Sequence, residues 1–434
     1  MAATARSLAC VLLCALCMLG LSDGADLISG DTVLVYEWTF IDYDWPSDDA
    51  RQLALDDGSF APINNSINGI KTYGGVVYLT VPRWRAGVPA TLTSVVMKGG
   101  RPVLRPFPSW EWQVVGNCST IQYVQSMEID RLGRMWIIDN GRLAVFDPNL
   151  PQVCAPKILV YDIKKAEMVR VHTFPNDVAS NSTAFLNDIV IDASADDTDG
   201  WFAYISDSSR AGGIVVYDYK QDKSHRVTHP SMTAATDGRR MTINGRNYTF
   251  PPVPVNGVAL SPIGKNMKLY YCALAGYNLY TLPTSLLKQP TVADVGTSVK
   301  ELGRKASQSD GIAISNKGTL YYGALQLNAV YRWDTSSQDV SSSSPLLISD
   351  VRMQWPNAFA FDDEGYLWFV SNKLQQYLFN ELNITGPESN FRVWKIYVGE
   401  KSYMYKGSGA SGLRFGWGML VAVVSVLYAI MSYI

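Results

Sequence analysis

Four points along the chain place Asn, Asp or Ser just ahead of an apolar, alternating segment. They are Asn187 with Asp188, Asn256, Ser309 with Asp310, and Pro356 with Asn357. Three similar segments end on a polar residue, at Asp139, Asp207 and Asn372. Such a set has a definite chemistry. A carboxylate pairs with an ammonium, an aromatic face adds cation–π attraction, and amides fix hydroxyl groups. With Trp110, Trp355 and Phe369 nearby in sequence pattern, these residues fit a small cationic aromatic molecule. The competing role for any one Asp or Asn is to cap a turn, because short polar side chains bond neighbouring backbone.

Other chemistries lack residues. The 434-residue chain has three histidines, His172, His225 and His229. His172 in VRVHTFP reads as a strand residue, and His225 and His229 flank a strand and turn ending in Pro230, a poor setting for a metal pair. No nucleophile elbow, HExxH helix, P-loop or dinucleotide fingerprint stands in a suitable context. Neither a metal nor a cofactor is expected. The 37 Lys+Arg against 39 Asp+Glu leave a net charge of −2 and no basic footprint, so nucleic acid is not expected as a partner. Arg239, Arg240, Arg101 and Arg105 read as solvated residues or carboxylate partners.

The elements that must position the polar set recur. AFAFDDEGYLWFVSN, from Ala358, is an alternating strand, an Asp/Gly turn and a second alternating strand. The outline returns at Asn68, Ser126, Asn187, Asn256 and Asp310, with turn glycines Gly75, Gly133, Gly200, Gly264, Gly318 and Gly365. The intervals are 58, 67, 64, 54 and 47 residues. Helical signals are nearly absent. Six repeats of this length, each holding several strands, predict an all-β, six-bladed β-propeller. The segments Thr32–Trp38 and Phe391–Gly399 are expected to share a blade and close the ring. The loops entering the inner strands would form one funnel face around a central channel.

The two ends account for part of the 47% hydrophobic content. Arg6, an apolar run from Leu8 to Leu21 and small residues near Gly24 make residues 1–24 a secretory signal peptide. Residues 25–406 then form the propeller. Residues 407–434 comprise a small-residue spacer and an uncharged tail from Phe415, read as a lipid-anchor signal or a transmembrane helix, with the lipid anchor favoured. The expected location is extracellular, tethered to the cell surface, with the membrane as a partner through this tail. Sequons stand at Asn64, Asn117, Asn181, Asn247 and Asn383, so glycosylation is expected there. In an oxidising compartment Cys118 and Cys154 are candidates for a disulfide, leaving Cys272 as a buried apolar residue.

FIDYDWPS from Phe40, VYLTVPRWRAGVPATL from Val77, PFPSWEW from Pro106 and GYLWFVSNKL from Gly365 follow one another in a specific order. This set resembles the yellow/major royal jelly protein family over residues 33 to 400. The resemblance implies secretion, a six-bladed propeller and frequent glycosylation. The chain departs from the family at Leu132, where a cysteine is usual, and at Asn140, where Asp-Thr-Gly is common. The first departure removes part of the usual disulfide scheme and bears on the Cys118–Cys154 pairing.

The same resemblance implies two activities. Some members bind biogenic amines in the channel, and others convert dopachrome during melanin formation. For an isomerase, Asp188 or Asp310 would be the base that removes a carbon-bound proton, once burial raises its pKa. A lysine or arginine near the funnel would hold a substrate carboxylate. The sequence therefore predicts an extracellular propeller binding a small aromatic amine or catechol-derived metabolite, with a dopachrome isomerase or a non-catalytic surface protein as alternatives.

Overall fold

Short runs of β-branched and aromatic residues between Gly- and Asp-bearing turns form six four-stranded antiparallel sheets and one two-stranded hairpin. The computed structural model describes residues 32–146, 153–290 and 295–406. The readings of residues 1–24 and 407–434 lie outside these. Among the described residues no helix is long and apolar enough to cross a membrane.

The innermost strands of blades 1 to 6 are Ile70–Tyr73, Val124–Ile129, Leu186–Asp192, Val255–Leu260, Ile312–Ile314 and Pro356–Phe361. They pack side by side in a closed ring, blade 6 against blade 1. Val33–Trp38 is the outermost strand of blade 6, pairing antiparallel with Phe391–Tyr397 from Val33↔Lys395 to Trp38↔Phe391. The first strand of the propeller thus completes its last blade, as the sequence predicts. Apolar clusters fill the spaces between blades.

Each inner strand turns into the second strand at one end of the propeller, at the glycines picked out above. Gly75, Gly133, Gly318 and Gly365 have φ of 79, 88, 84 and 97°, which a side chain disfavours. Three α-helices among the described residues escaped the sequence reading; the longest is Asp48–Asp56, whose cap Ser47 accepts from Ala50 N–H.

Candidate functional site

Every blade contributes one amide or carboxylate at the equivalent point at or just before the start of its inner strand: Asn68, Gln125, Asn187, Asn256, Asp310 and Asn357. Just beyond this point the pairing with the second strand slips, between Val124 and Met127, Leu186 and Ile189, Val255 and Val258, and Pro356 and Phe359. A bulge re-aims the side chains around it, and here it points a polar ring inward. Gln125 Nε2 donates to Asn187 Oδ1 (3.1 Å), Asn187 Nδ2 to Asn256 Oδ1, and Asn357 Nδ2 to Asn68 Oδ1 (2.6 Å). Gly311 N donates 2.6 Å to Asn357 O, an approach that leaves no room for a Cβ.

Three residues further along lies a second layer: Lys71, Glu128, Val190, Ala259, Ala313 and Ala360. The alanines leave space, and a cavity of about 80 Å³ runs between the two layers, enough for several waters. Its floor is the segment after the last blade strand, which crosses the channel. Tyr403 lines the cavity, and its hydroxyl donates to Ile191 O (3.1 Å) while accepting from Ile191 N (2.8 Å). Phe359 and Phe361 are further aromatic residues of the wall.

Asp188 and Asp310 both face this cavity. Asp188 is held in a fixed orientation: Oδ1 accepts from Ile189 N (2.9 Å) and Ser126 Oγ (3.3 Å), and Oδ2 from Val258 N (3.1 Å). What surface it keeps belongs to the cavity deep in the protein, and burial pushes it up to about 6, against the pull of Lys71 and those backbone donors. Asp310 Oδ2 accepts from Trp355 Nε1 at 2.7 Å. Burial pushes Asp310 up to about 7, opposed by Trp355 and helped by repulsion from Asp188. The two carboxyls therefore titrate as a pair near neutrality. Opposite them Lys71 Nζ and Glu128 Oε2 form an ion pair of 3.0 Å. Three carboxylates thus face one ammonium, already engaged.

The structure brings Asn187, Asp188, Asn256, Asp310 and Asn357 together in this cavity, and places the remaining candidates elsewhere. Trp355 is fully buried and offers no free face; its indole holds Asp310 from behind, with φ of 56° at a bulky residue. Phe369 stands on a second strand and packs on Trp394, 6.3 Å between centroids. Trp110 stacks on Trp45 at 5.1 Å, away from the cavity lining. Ser309 is fully buried outside the lining, its hydroxyl without a protein partner. Asn372 clamps loops, donating to Ile67 O (2.9 Å) and accepting from Leu374 N (3.2 Å). Asp139 and Asp207 do the same work: Asp139 accepts from Gln122 N, Tyr123 N and Gly141 N, and Asp207 pairs with Arg226. These residues end strands, where backbone donors need partners.

The expected open funnel is instead a lid. Trp84, Tyr123, Phe250, Trp355 and Tyr377, from five different loops, belong to one apolar cluster and are each at most 2% exposed. Trp84 Nε1 (3.0 Å) and Tyr123 OH (2.8 Å) both donate to Gln125 Oε1. Beneath the lid the VPRW arginine, Arg83, is buried with its guanidinium on the carbonyls of Val88, Pro89, Gln113 and Gln122. The Cys118–Cys154 disulfide forms, and Leu132 lies at the opposite end of the blade in an exposed turn, so the missing family cysteine does not touch it. Cys272 is buried, as expected. His172 lies in strand Glu167–Thr173, and among the described residues no cluster fit for a metal occurs.

Sequence reasoning missed Asn68, Gln125, Ser126, Lys71, Glu128 and Tyr403. Aligning blades on the ring position supplies the first three, since Asn68-Gly69 matches Asn256-Gly257. The second layer follows from counting three residues on. Tyr403 had no such signal, because the crossing segment repeats nothing.

The sequence pattern of the family described as major royal jelly protein matches residues 122–404. Major royal jelly protein 1 of Apis mellifera is 27% identical, over 85% of this chain and 87% of that protein. A dopaminechrome tautomerase of Drosophila melanogaster is 29% identical over 84% of this chain and 81% of that protein. Protein yellow of Drosophila erecta is 27% identical over 83% and 67%.

Proposed function

The chain belongs to the yellow/major royal jelly protein family, and from that premise we propose that its central cavity takes a small aromatic amine or aminochrome and tautomerises the latter. The observation that carries this reading is the Asp188–Asp310 pair in one cavity, one carboxyl raised to about 6 and the other to about 7. A tautomerase lifts a proton from carbon and returns one to oxygen, so atoms and electrons balance without a co-reactant. Such work needs a group that is half protonated at working pH. Asp310 meets that need. Asp188, with both oxygens tied, serves as the fixed counter-charge to an ammonium or iminium.

The charge balance refines the substrate. With Lys71 engaged by Glu128, a free carboxylate on the ligand meets net repulsion, so a decarboxylated aminochrome is favoured over dopachrome. The relative named dopaminechrome tautomerase supports this choice. The second reading is retention of an amine without turnover; the three donors that immobilise Asp188 favour it, since they hold a counter-ion and move no proton. We place the protein outside the cell, tethered through its C-terminal tail and glycosylated at the five sequons. Calorimetric titration with dopamine and serotonin, beside a turnover assay with dopaminechrome and dopachrome, separates the readings. Binding and turnover support tautomerisation, and binding alone supports retention. Neither would leave a surface protein.

A further inference from the structure

The cavity needs a way in, and the lid side offers none. Its five aromatic residues are buried in one cluster, and three of them, Trp84, Tyr123 and Trp355, bond to the ring below. All five sequon asparagines stand on loops of that side. Asn64, Asn117 and Asn181 precede inner strands, Asn247 is in the hairpin Arg240–Thr249 within the connection between blades 3 and 4, and Asn383 lies between a second and a third strand. Antiparallel alternation puts every one of these loops at the lid end, so any glycans would crowd the same side.

At the opposite end a groove of about 810 Å³ lies between the crossing segment and blades 1, 2 and 6. It shares Thr72, Ile129, Phe361 and Ser402 with the central cavity. These four shared residues form the partition where the two spaces meet. Thr72 Oγ1 donates to Phe361 O (3.2 Å), crossing the blade 1–blade 6 seam at the level of the groove. Ser402 rides on the crossing segment, which is fastened on its far side by Asn316 and Lys401 and by Glu400 accepting from Thr319 and Tyr321. The Thr72–Phe361 side of the partition is held by this side-chain bond, whereas Ser402 bridges to Ser315 and accepts from Met404 N and Tyr405 N.

We propose that this groove is the mouth of the cavity, through which a small cationic aromatic ligand passes between Thr72, Phe361 and Ser402. The groove carries carboxylates Asp363 and Glu364 and lysines Lys401 and Lys406, so it selects little by charge, and selection falls to the carboxylates inside. The inference rests on the cavity being a ligand site, yet its test does not need the natural ligand. Ala313→Cys, in a Cys272→Ser background, places one thiol on the cavity wall. Its rate of modification by a small cationic methanethiosulfonate reports passage. Ser402→Phe in the partition should slow that rate at least tenfold and Thr72→Val should raise it, while Phe250→Leu in the lid leaves it within twofold. A rate set by Phe250→Leu and indifferent to Ser402→Phe would overturn the proposal, as would a thiol that is never modified. Normal labelling with no binding of dopamine or dopaminechrome would sink the functional reading and leave the mouth standing.

Discussion

Trp355 Nε1 donates 2.7 Å to Asp310 Oδ2, and the indole that makes this bond is wholly buried. A bulky residue at φ 56° directly before a proline costs backbone energy. Here the geometry aims a hydrogen-bond donor at a carboxylate whose charged form burial disfavours.

Trp355→Phe keeps the ring in the lid and deletes the donor. The bond lowers the Asp310 pKa, so its loss should raise the upper transition of any pH–rate or pH–binding profile by about one pH unit. The lower transition should barely move. Carbon-13 NMR of labelled aspartate, following both carboxyls from pH 4 to 9, reads this directly.

Stability should fall as pH rises towards neutrality. Both carboxyls bind protons more tightly folded than unfolded, so their contribution is complete below about pH 4 and is lost as pH climbs through about 6 and about 7. The loss assigned to Asp310 is at most about 4 kcal/mol. Thermal melting of Asp310→Asn should show a flatter pH dependence than wild type, and a higher midpoint at pH 8. Parallel curves for the two proteins would contradict this.

Filling the second layer should separate binding from folding. Ala313→Leu places a bulky side chain in space that Ala259, Ala313 and Ala360 leave open. Ligand binding should be lost, while the melting temperature holds or rises, because the added group occupies a void rather than packed core.

Much of this was legible from residue order alone. Six strand–turn–strand repeats, spaced by their turn glycines, give the propeller, and Val33–Trp38 closes it on Phe391–Tyr397. Asp188 and Asp310 stood out because each precedes an apolar strand. The aromatic residues were misassigned for a physical reason: composition says that Trp355 and Phe369 are close to the polar set, but not which way a ring points. Strand parity decides that. Phe369 lies on a second strand facing Trp394, whereas Phe361 lies on an inner strand at the cavity. The lid was hidden because it gathers loops distant in sequence, Trp84 beside Tyr377 at 5.6 Å between centroids. The floor was hidden because the segment carrying Tyr403 is outside the repeat.

The central claim is that Asp310 moves the proton while Asp188 holds the charge. The most direct test is dopaminechrome turnover and dopamine affinity, both at pH 6.5, for wild type, Asp310→Asn and Asp188→Asn. Asp310→Asn should lose about a hundredfold or more in turnover and keep its dopamine affinity within a few fold. Asp188→Asn should weaken dopamine binding about tenfold or more. Turnover by Asp310→Asn within twofold of wild type would contradict the account.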